Sequence, residues 1–248
     1  MRSLLPPGSA DLTADDLARL YEFPVGTGRT WVRAVFISSA DGAAQGSDRA
    51  SGSLSGPADR RVFALQRSLC DAVLVGAGTA RVEGYRPVKP SEVDRGLRRR
   101  LGLAPVPTIA VVSRSMSLDT GLLEPGEAAT IVVTTDDAPT AGLAGVGTDA
   151  RLIRAGSGDV DIAAALDELA RLGFRRVLCE GGPTLMAQVV AAGRLDDLCL
   201  TLAPLLVAGD QRRILQGPDL DPPHRLSLAH LLEADGALFA RYLIERAP

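Results

Sequence analysis

Short apolar segments that end in glycine-, serine- or aspartate-containing turns alternate with helix-type segments along most of this 248-residue chain. The strand-type segments cover residues 31–38, 72–75, 108–112, 130–134, 151–154, 175–179 and 197–203. The helix-type segments cover residues 11–20, 57–69, 93–101, 161–172 and 185–192. Because helical crossovers join parallel strands, this alternation predicts an α/β fold with a mostly parallel central sheet and helices on both faces. Residues 225–234 and 237–245 flank Asp235-Gly236, which predicts an antiparallel C-terminal hairpin.

Charge and composition argue against several classes of protein. The chain has 27 Lys and Arg against 30 Asp and Glu, a net charge of −3, which disfavours nucleic acid as a partner. No uncharged stretch approaches the roughly 18 residues of a membrane helix, and residues 1–10 lack the apolar core of a signal peptide. We therefore expect neither a membrane nor a nucleic-acid partner. The predicted organisation is an N-terminal arm over residues 1–30 and a single domain over residues 31–248.

Cysteine and histidine are too scarce and too scattered for a metal site. Cys70, Cys179 and Cys199 each lie in an apolar run, and none forms a CxxC pair. His224 and His230, the only histidines, are distant from them in sequence. This pattern is typical of buried free thiols in a reducing cytoplasm, with no metal bound.

Three turns at the predicted carboxyl ends of strands carry the binding chemistry. Glycines allow close approach of backbone N–H groups to a phosphate, and a helix N-terminus adds partial positive charge. Two turns have this character and are candidates for cofactor phosphates: Gly76, Ala77, Gly78, Thr79 and Gly181, Gly182, Pro183, Thr184. In the third turn, Ser113 and Arg114 could clamp the 2′-phosphate that distinguishes NADP from NAD. The alternatives are tight βα turns that need glycine for geometry alone, and an ordinary solvated arginine.

Candidate acids are few, and none has a histidine beside it. Asp41 follows the first strand, Glu83 follows the Gly76–Thr79 turn, and Glu180 precedes Gly181. Asp41 could equally be an Asx-turn residue beside Gly42. Hydride transfer suits so small a set of acids and bases, because a cofactor then carries the difficult chemistry.

The order of these motifs resembles the riboflavin-biosynthesis pyrimidine reductase family, the RibD C-terminal reductase domain. The resemblance rests on the following segments: VFISSADG at 35–42, SGPADRR at 55–61, LQR at 65–67, DAVLVGAGT at 71–79, EGGPTL at 180–185, LDD at 195–197 and Ala203-Pro204. It implies a dihydrofolate-reductase-like fold, NADPH as the hydride donor and a homodimer. The implied substrate is 5-amino-6-(5-phosphoribosylamino)uracil, a small heterocycle whose ribose is reduced.

The resemblance also implies roles for individual residues. It assigns Glu83 to proton handling or ribose binding and Asp41 to the nicotinamide end. The NADPH phosphates would meet the two glycine turns, and the 2′-phosphate would meet Ser113 and Arg114. Substrate contacts would come from the following residues: Ser55, Arg67, Arg86 and Glu180.

Departures from the family pattern fall on the substrate side. The Trp-Ile-Thr of the family is Ser53-Leu54-Ser55 here, and the family's usual acid, an Asp, is Glu83. No H-x-E…PCxxC deaminase motif is present, so we expect a stand-alone reductase. Reduction of dihydrofolate or another pterin, and a non-catalytic nucleotide-binding module, remain alternatives. The arginine-rich run at residues 95–100 is read as a solvated face, with an acidic or phosphate partner as the alternative.

Overall fold

A ten-stranded sheet forms the centre of the protein in a computed structural model, which describes residues 1–8, 11–24, 26, 28–139 and 151–245. The strands are β1 (Arg2–Leu5), β2 (Trp31–Ser39), β3 (Ala72–Gly76), β4 (Thr108–Val112), β5 (Ile131–Thr134), β6 (Arg151–Arg154), β7 (Arg176–Cys179), β8 (Asp197–Ala203), β9 (Leu226–Ala234) and β10 (Ala237–Ile244). Their order across the sheet is β1-β9-β10-β8-β2-β7-β3-β4-β5-β6. All pairs from β8 to β6 in this order are parallel, and β1, β9, β10 and β8 pair antiparallel. The mostly parallel sheet and the C-terminal hairpin are thus confirmed.

Helices cover both faces of the parallel part. They are α1 (Ala14–Leu20), α2 (Pro57–Leu69), α3 (Ala77–Val82), α4 (Arg95–Arg100), α5 (Ile162–Arg171) and α6 (Pro183–Ala191). Alternate residues of β2 and β3 point to opposite sides of the sheet. One side, with Ala34 and Leu74, packs against α5 and α6, and the other, with Val73, packs against α2 and α4. Within the described residues, no helix is long and apolar enough to cross a membrane.

The first 30 residues contribute to the sheet, which the sequence did not predict. β1 pairs with β9 at the edge, although its four residues carry no strand pattern of their own. A buried ion cluster fastens the end of α1 to the sheet: Arg33 and Arg241 both bind Asp197, with Nε–O distances of 2.9 Å. Arg33 also donates to the carbonyl of Tyr21, and Arg241 donates to that of Leu20.

The interpretation of residues 95–100 as one solvated face is wrong for Arg98. This side chain is fully buried, whereas Arg95, Arg99 and Arg100 are exposed. Its Nη1 donates to the carbonyls of Arg67, Ser68 and Cys70, and burial lowers the pKa of the guanidinium. Arg98 therefore closes the C-terminal end of α2, where helix carbonyls lack intrahelical partners.

Candidate functional site

A cleft of about 720 Å³ opens at the carboxyl ends of β2, β3 and β7. These strands are neighbours in the order β2-β7-β3, so the turns that follow them meet at one edge of the sheet. The Gly76 N–H donates to the carbonyl of Gly181 at 2.7 Å and joins two of the turns directly. This edge is where open α/β sheets bind ligands.

Packing at the junction of the two turns requires glycine at Gly181 and Gly182. Gly181 has φ of +80°, and a Cβ there would lie 2.6 Å from Cζ of Phe36. A Cβ on Gly182 would lie 2.3 Å from Oγ1 of Thr79. The peptide between the two glycines is cis. Gly182 is the N-cap of α6 and has no side-chain cap, so backbone N–H groups of the first turn, including that of Thr184, are free to bind a ligand.

A second cavity of about 380 Å³ adjoins the cleft beyond α3. Both cavities are lined by Gly76, Gly78, Arg81 and Leu185. The second cavity is also lined by the following residues: Ala77, Ser113, Arg114, Ser115 and Ser117. Because β4 lies beside β3, the Ser113–Ser115 turn is brought next to the Gly76–Thr79 turn. Together the cavities form a groove along four strand ends, those of β2, β7, β3 and β4.

Arg67, Glu180 and Tyr85 form a buried polar cluster at the cleft. Arg67 Nε and Nη2 each lie 2.7 Å from a carboxylate oxygen of Glu180, a bidentate pair, and the Tyr85 hydroxyl donates to the same carboxylate. The guanidinium also faces the rings of Phe63 and Tyr85. Burial favours the neutral form of Arg67, but the charge and hydrogen bonds of Glu180 outweigh it and raise the pKa of Arg67. Burial and the charge of Glu180 raise the pKa of Tyr85 well above its usual value.

Glu83 lies at the C-terminal end of α3 and lines the cleft. Its Oε1 accepts a hydrogen bond of 2.8 Å from the backbone N–H of Ser51. Ser51 belongs to the polar segment 43–56, which forms one wall of the cleft, as does Ser55, whose hydroxyl donates to Asp59. The carboxylate thus connects this wall of the cleft to α3.

Three predicted site residues lie outside the residues that line either cavity: Asp41, Arg86 and Gly181, whose carbonyl accepts the hydrogen bond from the Gly76 N–H. The Asp41 carboxylate accepts hydrogen bonds from the Ser39 hydroxyl and from the N–H groups of Val207 and Ala208, and these bonds lower its pKa to about 2. It therefore fastens the loop after β8. The Arg86 side chain packs over Gly121 and lies 3.4 Å from Asp119, away from the residues that line the cleft.

Four arginines of the cleft were missed by sequence reasoning as site residues. Arg49, Arg60 and Arg212 are exposed and line the cleft, and Arg81 lies where the two cavities join. Arg212 lies in the loop after β8. This loop approaches segment 43–56, because the Ala44 N–H donates to the backbone carbonyl of Arg212. No local signal distinguishes these arginines from solvated ones, because only the tertiary fold brings them together.

Comparisons with known proteins agree with this geometry. The family model described as the RibD C-terminal domain matches residues 30–238. A 2,5-diamino-6-ribosylamino-4(3H)-pyrimidinone 5′-phosphate reductase from Methanothermobacter thermautotrophicus is 31% identical over 173 residues, covering 69% of this chain and 77% of that protein. A protein of the same name from Archaeoglobus fulgidus is 27% identical over 216 residues, covering 86% of this chain and 99% of its own.

A solved pyrimidine reductase-like protein from Corynebacterium diphtheriae superposes with a TM-score of 0.79 at 26% identity. The similarity covers 93% of this chain and 99% of that protein. The resemblance expected from the spaced motifs is therefore confirmed, and with it the fold class and the reductase character of the chain. The protein is an oxidoreductase that belongs to the RibD C-terminal domain family, the pyrimidine reductases of riboflavin biosynthesis.

Proposed function

We propose that this chain reduces a ribosylaminopyrimidine 5′-phosphate with NADPH. The observation that carries the proposal is the continuous groove formed by the 720 Å³ cleft and the 380 Å³ cavity along the ends of β2, β7, β3 and β4. A groove made of two adjoining cavities suits an extended dinucleotide with a small second ligand at one end.

The residues at the junction of the cavities fit the phosphates of a dinucleotide. A Cβ on Gly78 would meet no atom within 4 Å, so its backbone is open to a ligand. The uncapped first turn of α6 offers backbone N–H donors, and Arg81 is the cation shared by both cavities. NADPH, when bound, supplies the hydride.

The 2′-phosphate of NADPH would lie beside Ser113 and Arg114. Arg114 is exposed, and among the described residues its guanidinium has no ion pair. A guanidinium between serine hydroxyls matches a phosphate with charge and with several donors. These features support NADPH over NADH.

The substrate would occupy the larger cleft with its phosphate toward the mouth. Arg49 and Arg212 have no ion pair within the part of the chain that the structure describes, and Arg60 donates only to the carbonyl of Ser55. An anionic group in their midst would gain charge-assisted hydrogen bonds. Ser55 would add a polar contact at the same wall.

Glu83 is the best-placed group to handle a proton. Oε1 is held by the Ser51 N–H, which leaves Oε2 for the substrate. Arg67 and Glu180 neutralise each other, so we assign them to the shape and polarity of the pocket and to neutral contacts with the substrate.

An apolar patch on β9 and β10 supports a homodimer. Leu226 and Leu228 of β9 are 41% and 39% exposed and lie opposite Ile244 and Tyr242 of β10 on one face of the antiparallel strands. A second copy of the chain would cover this face. Light scattering should then give twice the mass of the chain, and Leu228→Glu should halve that value; a monomeric wild type would rule the dimer out.

The three cysteines support a reducing compartment. Cys70, Cys179 and Cys199 are buried and free, and burial raises the pKa of each thiol to about 12. We therefore propose the cytoplasm as the location, because structural thiols persist unpaired there. The test is fractionation of cells that express the protein at its natural level.

The function is tested by binding and turnover. We expect NADPH to bind at least about tenfold more tightly than NADH, as for a site with a dedicated 2′-phosphate cation. Oxidation of NADPH should require 5-amino-6-(5-phosphoribosylamino)uracil or its 2-amino-pyrimidinone counterpart, and comparing them identifies the ring. Equal affinity for both nucleotides would refute the cofactor assignment. Turnover of dihydrofolate alone would make the chain a pterin reductase, and tight binding without any turnover would make it a nucleotide-binding module.

A further inference from the structure

The second cavity contains one acidic side chain among its lining residues in the described part of the chain. That residue is Asp159, in the segment between β6 and α5, and it shares the cavity with Arg81 and Arg114. The cavity thus joins two cations and one anion where an adenosine 2′-phosphate is expected under the proposed function. No motif of the family resemblance includes this position.

Asp159 is exposed, and its carboxylate accepts two hydrogen bonds at the wall of the cavity. Its Oδ1 accepts a hydrogen bond of 2.9 Å from the buried backbone of Val160, and its Oδ2 accepts one of 3.3 Å from Nε2 of Gln188. Gln188 belongs to α6, the helix whose first turn faces the junction of the cavities.

A carboxylate at this position has opposite consequences for the two nicotinamide cofactors. It repels the 2′-phosphate of NADPH, which carries nearly two negative charges. It is neutral toward, or accepts a hydrogen bond from, the ribose hydroxyl that NADH has at the same place, the usual role of an acid in NAD sites. Ser113 and Arg114 favour the phosphate, so the acid and the cation act against each other.

We propose that Asp159 is a specificity-determining residue that limits the preference of this enzyme for NADPH over NADH. The inference rests on the proposed function, because it assumes that the adenosine end of the cofactor lies in the second cavity. It predicts weaker discrimination than Arg114 alone would provide.

The test is the change in cofactor affinity caused by Asp159→Asn, which keeps an oxygen for the Val160 N–H and removes the charge. Binding of NADPH and NADH is measured by nucleotide fluorescence, and binding of 2′,5′-ADP and 5′-AMP by competition. Glu127→Gln is the matched control, because Glu127 is an exposed carboxylate that lines neither cavity. Thermal unfolding verifies that both variants are folded.

At low ionic strength, Asp159→Asn should bind NADPH and 2′,5′-ADP about three- to tenfold more tightly, the size of effect expected from removing one negative charge near a dianion in a solvent-exposed site. NADH and 5′-AMP should change less than about twofold, and the gain should shrink in about 0.5 M salt because exposed charges are screened. Unchanged NADPH affinity, or an equal loss for both cofactors, would overturn the proposal. If the wild type binds neither nucleotide, the proposed function fails and this inference fails with it.

Discussion

Glu180→Gln should destabilise the fold by about 3 kcal/mol, because it leaves the largely buried guanidinium of Arg67 with only the partly exposed Glu92, 3.5 Å from Nη1, as a counter-charge. The Glu180 side chain is 1% exposed and that of Arg67 is 14% exposed, so water replaces little of the lost interaction. Both Arg67–Glu180 contacts measure 2.7 Å, and the Tyr85 hydroxyl donates to the same carboxylate. The NH2 group of the Gln side chain would also face either the Arg67 guanidinium or the Tyr85 hydroxyl, both of which donate to Glu180 in the wild type.

A double-mutant cycle separates this effect from ordinary loss of packing. Arg67→Met should cost a similar amount, since it leaves the carboxylate unpaired, and the double variant should cost at least about 2 kcal/mol less than the sum of the two. Arg60→Met is the control: it lies on the same helix, is exposed and bonds only the carbonyl of Ser55, so it should cost less than about 1 kcal/mol.

The assay is urea unfolding followed by circular dichroism at neutral pH. The reasoning would be refuted if each single variant lost less than about 1 kcal/mol of unfolding free energy and the double variant lost the sum of the two. Exposed ion pairs behave in that way. Steady-state kinetics of the folded protein then tests whether the Arg67–Glu180 pair also contributes to substrate binding or turnover. A rise in KM with kcat retained would indicate a lost substrate contact, and an unchanged kcat/KM would leave the pair a purely structural role.

Three further predictions concern the cleft and the sheet behind it. Gly181→Ala should lower the free energy of unfolding by about 3 kcal/mol, because Gly181 has a positive φ and an added Cβ would collide with Phe36. The double variant Gly181→Ala/Phe36→Ala should lose less stability than the two single variants added together. Losses that simply add in calorimetry would contradict this. Glu83→Gln keeps an acceptor for Ser51 and should reduce kcat by about a hundredfold or more with NADPH affinity unchanged, whereas an unchanged kcat would remove Glu83 from proton handling. The pKa of His230 is lowered to about 4 by burial and by two nearby arginines, so the wild type should lose stability relative to His230→Phe as pH falls from about 6.5 to 4, and parallel stability curves in urea would contradict it.

Much of the sheet could be predicted because its signals are local. The strands that build the cleft, β2, β3 and β7, are apolar segments that stop at glycine or serine turns, and their predicted bounds lie within one residue of the observed ones. Helix α5 was recognisable from its apolar stripe and from Asp161, which caps it by accepting from the Ala164 N–H. In contrast, β1 depends on a partner strand more than 200 residues away and has no periodic pattern.

The side-chain partnerships of the site could not be predicted because they depend on contacts distant in sequence. Arg67 and Glu180 are 113 residues apart, and their mutual neutralisation changes what either can offer a substrate. Asp41 looked like a candidate at a strand end, yet backbone N–H groups 166 and 167 residues further on occupy its carboxylate. Arg98 looked solvated among other arginines until α4 was placed over the end of α2. In each case the sequence shows the residue type but not the partner, which is distant in sequence.

The glycine turns show why local signals nevertheless located the site. The parallel register aligns Leu74 of β3 with Cys179 of β7, so Gly76 and Gly181 reach the edge of the sheet side by side. There the Gly76 N–H meets the Gly181 carbonyl, Gly181 meets Phe36 from β2, and Gly182 meets Thr79 from α3. Gly181 and Gly182 are thus required by side chains from other elements, whereas a Cβ on Gly76 would meet only ordinary contacts at 3.7 Å or more. A sequence can mark each turn, because glycine is rare at the end of a buried strand without a geometric reason. Only the strand order β2-β7-β3 brings these contacts together, and the same order brings uncapped backbone donors and the arginines to one groove.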